Sequence, residues 1–309
     1  MITEKIYLYE GRQDVTLTTY VLDDSPEMLN GKKRPGVLIC PGGAFVFCSD
    51  REAEPVALRF AAMGYHAFVL RYSTFGKGVP GYFPVGEEVE VDPESMHPAP
   101  MRDVGRAFLE LHKHADDWLL DMSKIAICGF SAGGHTCAMY SVYWNEPLIT
   151  DFFSEPAEKF KPAASILAYP VTDYHVMIAG ALTPEEQAVS DLATFALLGT
   201  KTPSEAQLNE VSPVLHVTEH TPPTFLWSTS EDTLVPVENT THMATALAKA
   251  GVPFEVHIFE RGVHGLSLAN QATATNTLQM VNADAAKWMD LAETWLEKRF
   301  GFDLPPTIE

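Results

Sequence analysis

Six short apolar runs, at residues 36–40, 65–72, 124–130, 164–171, 224–228 and 254–259, are bounded by Gly or Pro and alternate with segments of helical periodicity. Runs that short and that continuously apolar suit strands covered on both faces. Strands separated by helices must be joined by crossovers, which favours a mostly parallel sheet with helices packed on it. The expected helices are 53–62, 101–112, 134–143, 237–250 and 276–299. In the last of these Val281, Ala285, Trp288, Ala292 and Trp295 recur at steps of three and four, so the whole segment is expected to be one amphipathic helix lying on the sheet. Ahead of the alternating region, residues 5–9 and 15–22 flank Gly11-Arg12-Gln13-Asp14 and carry the polarity alternation of an antiparallel edge hairpin.

Two stretches break the pattern: residues 73–98, rich in Gly, Pro and acids, and residues 175–217, which hold short helical pieces. Long connections inside a compact domain commonly serve as lids or binding walls, so both are expected to be lid-like insertions that shape a binding site. With 46% hydrophobic residues the chain has enough apolar surface for a sizeable core, and residues 1–309 read as a single α/β domain.

The balance of 21 Lys and Arg against 41 Asp and Glu leaves a net charge of −20, a field that repels phosphate backbones and anionic lipid. Nucleic acid and membrane are therefore not expected as partners; a neutral or cationic small molecule is. The segment MITEKIYLYEGRQ has no basic start followed by an apolar run, and no later stretch reaches the roughly 18 apolar residues of a membrane span, so a cytoplasmic location is expected. Cys40, Cys48, Cys128 and Cys137 form no Cys-x-x-Cys pair and sit mostly in apolar segments, as reduced, buried cysteines do.

Chemistry concentrates at Gly129-Phe130-Ser131-Ala132-Gly133-Gly134, which follows the run 124–130 and opens a helical segment. A serine on so sharp a strand-to-helix turn projects its hydroxyl, and the positions two before and two after it must be small for the backbones to pass. Such a hydroxyl needs an imidazole to take its proton. Of the 11 histidines, His264 is the best placed, in Arg261-Gly262-Val263-His264-Gly265 just beyond the last expected strand. His135, four residues after the serine, is the alternative, with packing behind the turn as its plainer role. No histidine or cysteine cluster has zinc spacing.

The imidazole in turn needs a carboxylate to fix its tautomer and stabilise its charged form. Asp232 follows the strand at 224–228 and completes the chain order Ser, Asp, His. Glu231, one position earlier, and Asp173, after the preceding strand, are the other candidates. Cys40-Pro41-Gly42-Gly43-Ala44-Phe45 follows the first central strand, and its glycines let backbone N–H groups turn toward a ligand. Donors from Gly43 or Ala44, with the N–H of Ala132, are the expected oxyanion hole.

Taken together, the motifs resemble the α/β-hydrolase superfamily from residue 36 to the final helix, and PGGAF, LRYS, HPAPMRDV, ICGFSAGGH, EDTLVPVENT and GVHG are similar to those of small carbohydrate esterases and acetyl xylan esterase-like proteins. The resemblance implies a serine carboxylesterase with no metal or cofactor, acting on a small ester with a short acyl group, acetyl first, on a sugar. It also implies that Asp103 supports the fold near the serine turn. Cys40-Pro41-Gly42-Gly43 stands where hormone-sensitive-lipase-like esterases and kynurenine formamidases carry His-Gly-Gly, which separates the chain from both. An amidase or peptidase, a feruloyl-type esterase and a non-catalytic binding protein on a hydrolase scaffold are the alternatives. Nothing in the sequence sets an oligomeric state.

Overall fold

A computed structural model describes residues 1–79, 81–84, 90–180, 183–275 and 277–302. Among them the alternating runs form one eight-stranded sheet: β1 Lys5–Tyr7, β2 Thr16–Tyr20, β3 Arg34–Cys40, β4 His66–Arg71, β5 Leu120–Phe130, β6 Ala164–Ala168, β7 Thr224–Thr229 and β8 Phe254–Phe259, in the order β1-β2-β4-β3-β5-β6-β7-β8. The β1–β2 hairpin joins the sheet antiparallel through β4, and every pair from β4 to β8 is parallel. The chain lays β4 on one side of β3 and then returns to place β5 on the other. That reversal opens a crevice beyond the carboxyl ends of β3 and β5, where ligands bind in sheets of this kind.

The helices are α1 Glu54–Ala62, α2 Ala99–His114, α3 Ala132–Tyr143, α4 Pro147–Phe153, α5 Tyr174–Ala179, α6 Pro184–Leu198, α7 Glu205–Glu210, α8 Glu238–Ala250 and α9 Trp288–Phe300. Strict alternation along the strands sends side chains into two cores. Leu38, Ile127, Leu167 and Leu226 pack with α2, α3, α6 and α8, while Val37, Ile39, Ala126, Phe225 and Trp227 pack with α1 and α9 on the opposite face. Because both faces are covered, β3, β6 and β7 are buried along their whole lengths, which is what their unbroken apolar runs require.

Two expectations are corrected. The run 254–259 is not a buried strand: β8 closes the sheet, and Phe254 and Ile258 are exposed. An edge strand has a neighbour on one side only, so an apolar run does not by itself report full burial. The expected helix 276–299 begins only at Trp288. Asn282 breaks it, because its side chain accepts the N–H groups of Asp284 and Ala285 and so offers the backbone a turn in place of a helix. Ala285, Trp288, Ala292 and Trp295 are buried as the stripe implied, but Val281 lies in extended backbone and is exposed; Asn276 lies outside the described residues.

The insertion 175–217 carries α5, α6 and α7, and α6 opens with a capping box between Thr183 and Glu186. Of the insertion 73–98, residues 80 and 85–89 lie outside the described residues; the rest is tied to the loop after β3 by Phe75 N–H to Phe45 O and Gly76 N–H to Val46 O, both 2.8 Å. Asp103, buried on α2, accepts the Ser73 N–H at 2.6 Å, so it holds the start of this insertion at the exit of β4. All four cysteines are buried free thiols. No helix among the described residues is long and apolar enough to cross a membrane.

Candidate active site

Ser131 sits where β5 turns into α3, with φ 51° and ψ −118°, a left-handed conformation that non-glycine residues adopt only when the surroundings impose it. The glycines around it make the turn possible. A Cβ on Gly129 would stand 2.2 Å from the Gly133 carbonyl oxygen, and one on Gly133 would stand 2.0 Å from that of Cys40. Both obstacles are backbone and cannot swing away. Gly133→Ala is therefore expected to lower the free energy of unfolding by about 1–3 kcal/mol, the usual cost of overpacking, and to displace the loop after β3. A chemical-denaturation curve read against wild type checks this.

The carboxyl ends of β5, β7 and β8 bring three side chains together. Ser131 Oγ lies 2.8 Å from His264 Nε2, and His264 Nδ1 lies 2.6 Å from Asp232 Oδ2. The second oxygen of Asp232 accepts the N–H groups of Leu234 and Val235 at 3.1 and 2.9 Å, so the loop after β7 holds the carboxylate independently of the histidine. Burial works against the His264 imidazolium, but the Asp232 carboxylate, and Glu52 behind it, outweigh burial and raise the pKa above its ordinary value.

The competing candidates are engaged elsewhere. Glu231 accepts the Gly262 N–H at 3.2 Å; Asp173 caps α5 and pairs with His242 at 2.9 Å. His135 is buried between Phe45 and Tyr174, hydrogen-bonds the Val211 carbonyl at 2.8 Å, and has its pKa pushed down to about 3 by burial. It packs behind the turn and stays neutral.

Beyond β3, the Gly43 carbonyl accepts the N–H groups of Val46 and Phe47. In a trans peptide the next N–H points the opposite way, so the Ala44 N–H faces away from that turn. Ala44 and Gly43 line the cleft beside Ser131, and Ala132 opens α3, whose first N–H groups have no partner within the helix.

Sequence reasoning missed the layer beneath. Glu52, 3% exposed, accepts the Gly42 N–H at 2.7 Å with one carboxylate oxygen and the Tyr169 hydroxyl at 2.6 Å with the other. Tyr169 in turn accepts the Ser267 N–H at 2.9 Å and sets its ring edgewise to His264. One buried carboxylate thus joins the loop after β3 to the histidine loop. Arg51 adds a second tie to that loop, donating to the Gly265 carbonyl at 2.9 Å. The available signal was an acid next to an arginine shortly after the Gly-Gly turn, but nothing in the sequence marks it as buried.

Ser131 and His264 open onto a cleft of about 420 Å³, and Ser131 also lines a smaller cavity of about 40 Å³ that shares Ala44, Val189 and Leu234 with the cleft. Gly81 and Phe83 of the first insertion wall the cleft, α6 of the second walls the cavity, and Val189 of α6 lines both.

A family model described as BD-FAE matches residues 30–247. The chain belongs to the BD-FAE family. Its fold is that of the α/β-hydrolase carboxylesterases: a carboxylesterase from Lactobacillus plantarum WCFS1 superposes with a TM-score of 0.77 at 28% identity, over 96% of this chain and 98% of that one. An acetyl ester-xyloside bifunctional hydrolase from Caldicellulosiruptor lactoaceticus superposes with a TM-score of 0.71 at 31% identity, covering 96% of each chain. Endo-1,4-beta-xylanase B of Butyrivibrio fibrisolvens is 34% identical over 240 residues, 77% of this chain. This BD-FAE member spans only 33% of the length of that xylanase.

Proposed function

We propose that this BD-FAE member hydrolyses carboxylic esters through an acyl-enzyme, with Ser131 as nucleophile, His264 as general base and Asp232 as the orienting acid. The observation that carries the reading is the hydrogen-bonded series from the Ser131 hydroxyl through His264 to the buried Asp232, set on a strained turn. Ser131 Oγ attacks the ester carbonyl as its proton passes to His264 Nε2, leaving a tetrahedral oxyanion held by the N–H groups of Ala132 and of Ala44 or Gly43. The bond to the alkoxy oxygen breaks, and His264 returns the proton to the departing alcohol. Water then attacks the acyl-serine while giving a proton to His264; the acid leaves and Ser131 recovers its proton.

The substrate class we favour is a short-chain ester of a sugar, acetyl first. The small cavity beside Ser131 supports this, as does the likeness to proteins whose names carry acetyl ester, xyloside and xylanase. A fluorophosphonate that labels wild type and not Ser131→Ala, together with a panel of acetyl, butyryl, feruloyl and peptide substrates, tests the reading. Turnover of the peptides alone would replace the esterase by an amidase, and absence of both labelling and turnover would leave a binding protein.

The raised pKa of His264 sets the pH dependence. Neutral imidazole is the active form, so a raised pKa moves the loss of activity to higher pH. The acid limb of kcat/KM is expected above the ordinary imidazole value of about 6.5. Glu52→Gln removes one of the two carboxylates that favour the imidazolium, so its limb is expected to move down. A kcat/KM profile on a non-ionising ester, run on both proteins, reads the two limbs directly. An acid limb unchanged in Glu52→Gln would remove Glu52 from the electrostatics of the site.

A further inference from the structure

Ser131 lines two spaces of different character, and the chemistry of acyl transfer distinguishes them. The cleft of about 420 Å³ contains His264 and Gly265 on its wall; the cavity of about 40 Å³ contains no residue of the histidine loop. In ester cleavage the same imidazole that takes the serine proton must hand it to the leaving oxygen, so the alcohol departs on the histidine side. The acyl chain, on the other substituent of the carbonyl carbon, is directed away from it.

We infer that the cavity beneath α6 is the acyl pocket and limits the acyl group to about two or three carbons, while the open cleft takes an alcohol as large as a sugar ring. This assignment rests on the esterase reading above. A water needs roughly 10–15 Å³ of such space, so about 40 Å³ accepts an acetyl or propionyl tail and not a hexanoyl one. The walls agree. Val171, Met177, Ala193 and Leu234 are apolar, and the Thr194 hydroxyl is spent within α6 on the Ser190 carbonyl at 2.8 Å, so the pocket offers little to a hydroxylated acyl group. The cleft instead presents the rings of Phe47 and Phe83 beside the Ser49 and Arg51 side chains, a mixture of apolar faces and polar groups suited to a ring bearing hydroxyls.

One wall of the acyl pocket comes from α5 and α6, so acyl preference is set in part by a segment separate from the strands that carry the reacting groups. Two substitutions change the pocket in opposite senses. Ala193→Leu fills it and Met177→Ala opens it. The experiment measures kcat/KM on acetyl, butyryl and hexanoyl esters of one phenol, and on acetate esters of a phenol, a short alkanol and a xylose unit, for wild type and both variants. Because one methylene in an apolar pocket is worth about 10–200-fold in discrimination, the butyryl-to-acetyl ratio is expected to fall at least about tenfold in Ala193→Leu and to rise in Met177→Ala. The ranking of the acetate esters is expected to stay that of wild type in both. A change in that ranking with an unchanged acyl series would overturn the assignment by reversing the two pockets, while leaving the esterase reading intact. An unchanged acyl series in both folded variants would also overturn it. Failure of wild type to cleave any ester would bring down the esterase reading, and the assignment with it.

Discussion

Ser131→Ala is expected to abolish ester cleavage, with turnover falling on the order of 10⁶-fold, the scale reported for loss of a serine nucleophile, while thermal melting stays close to wild type. The two halves of this expectation have separate causes. In the proposed reaction the hydroxyl supplies the bond-forming oxygen, and among the described residues no neighbouring side chain replaces it: His135 faces the Val211 carbonyl, and all four cysteines are buried. The stability of the turn resides in its backbone, where Ser131 N–H reaches the Ala168 carbonyl and His135 N–H reaches the Ser131 carbonyl at 3.0 and 2.9 Å. Alanine keeps both bonds. Turnover and melting measured on one preparation decide the matter, and retention of more than about a tenth of wild-type turnover is incompatible with a nucleophile, whose loss costs many orders of magnitude.

The second large effect is expected at Asp232. Asparagine in its place keeps an oxygen for the Leu234 and Val235 N–H groups but turns an amide N–H₂ toward His264, which then presents its proton on the nitrogen facing Ser131. Turnover is expected to drop on the order of 10⁴-fold through this wrong tautomer. Glu231→Gln is expected to do far less, because Glu231 reaches the histidine loop through an exposed contact with the Gly262 N–H. Asp173→Asn is expected to disturb the start of α5 and its pair with His242 rather than catalysis. If Asp173→Asn were the crippling change of the three, the acid would lie after β6 and the reading of the site would have to be rebuilt.

These two expectations differ in how far the sequence alone carried them. Ser131 was visible because the turn that exposes a serine imposes local steric demands, and Gly129 and Gly133 are their direct imprint. The carboxylate was narrower only in the structure. Glu231 and Asp232 are adjacent, so no spacing rule separates them; what separates them is which side chain the loop after β7 directs inward, and that depends on the two N–H groups that grip Asp232. The same limit applied to α9. Its apolar stripe was legible, but its start depended on Asn282, whose N–H bonds to the Ala269 carbonyl and whose side chain reaches that of Arg261.

The sequence by itself determined the sheet-and-helix alternation, the parallel order it implies, the turn at Ser131 and the chain order of the three candidate residues. All of these are written in periodicity and in local turn chemistry, which act over a few residues. Only the tertiary structure decided that Glu52 and Tyr169 link the loop after β3 to the histidine loop, that β8 is a half-covered edge, and that Ser131 lines both a small apolar cavity and a wide cleft. Glu52 and Tyr169 are 117 positions apart in the chain and Tyr169 and Ser267 are 98 apart. Contacts of that span follow from how the layers pack, and no local pattern in the chain records them.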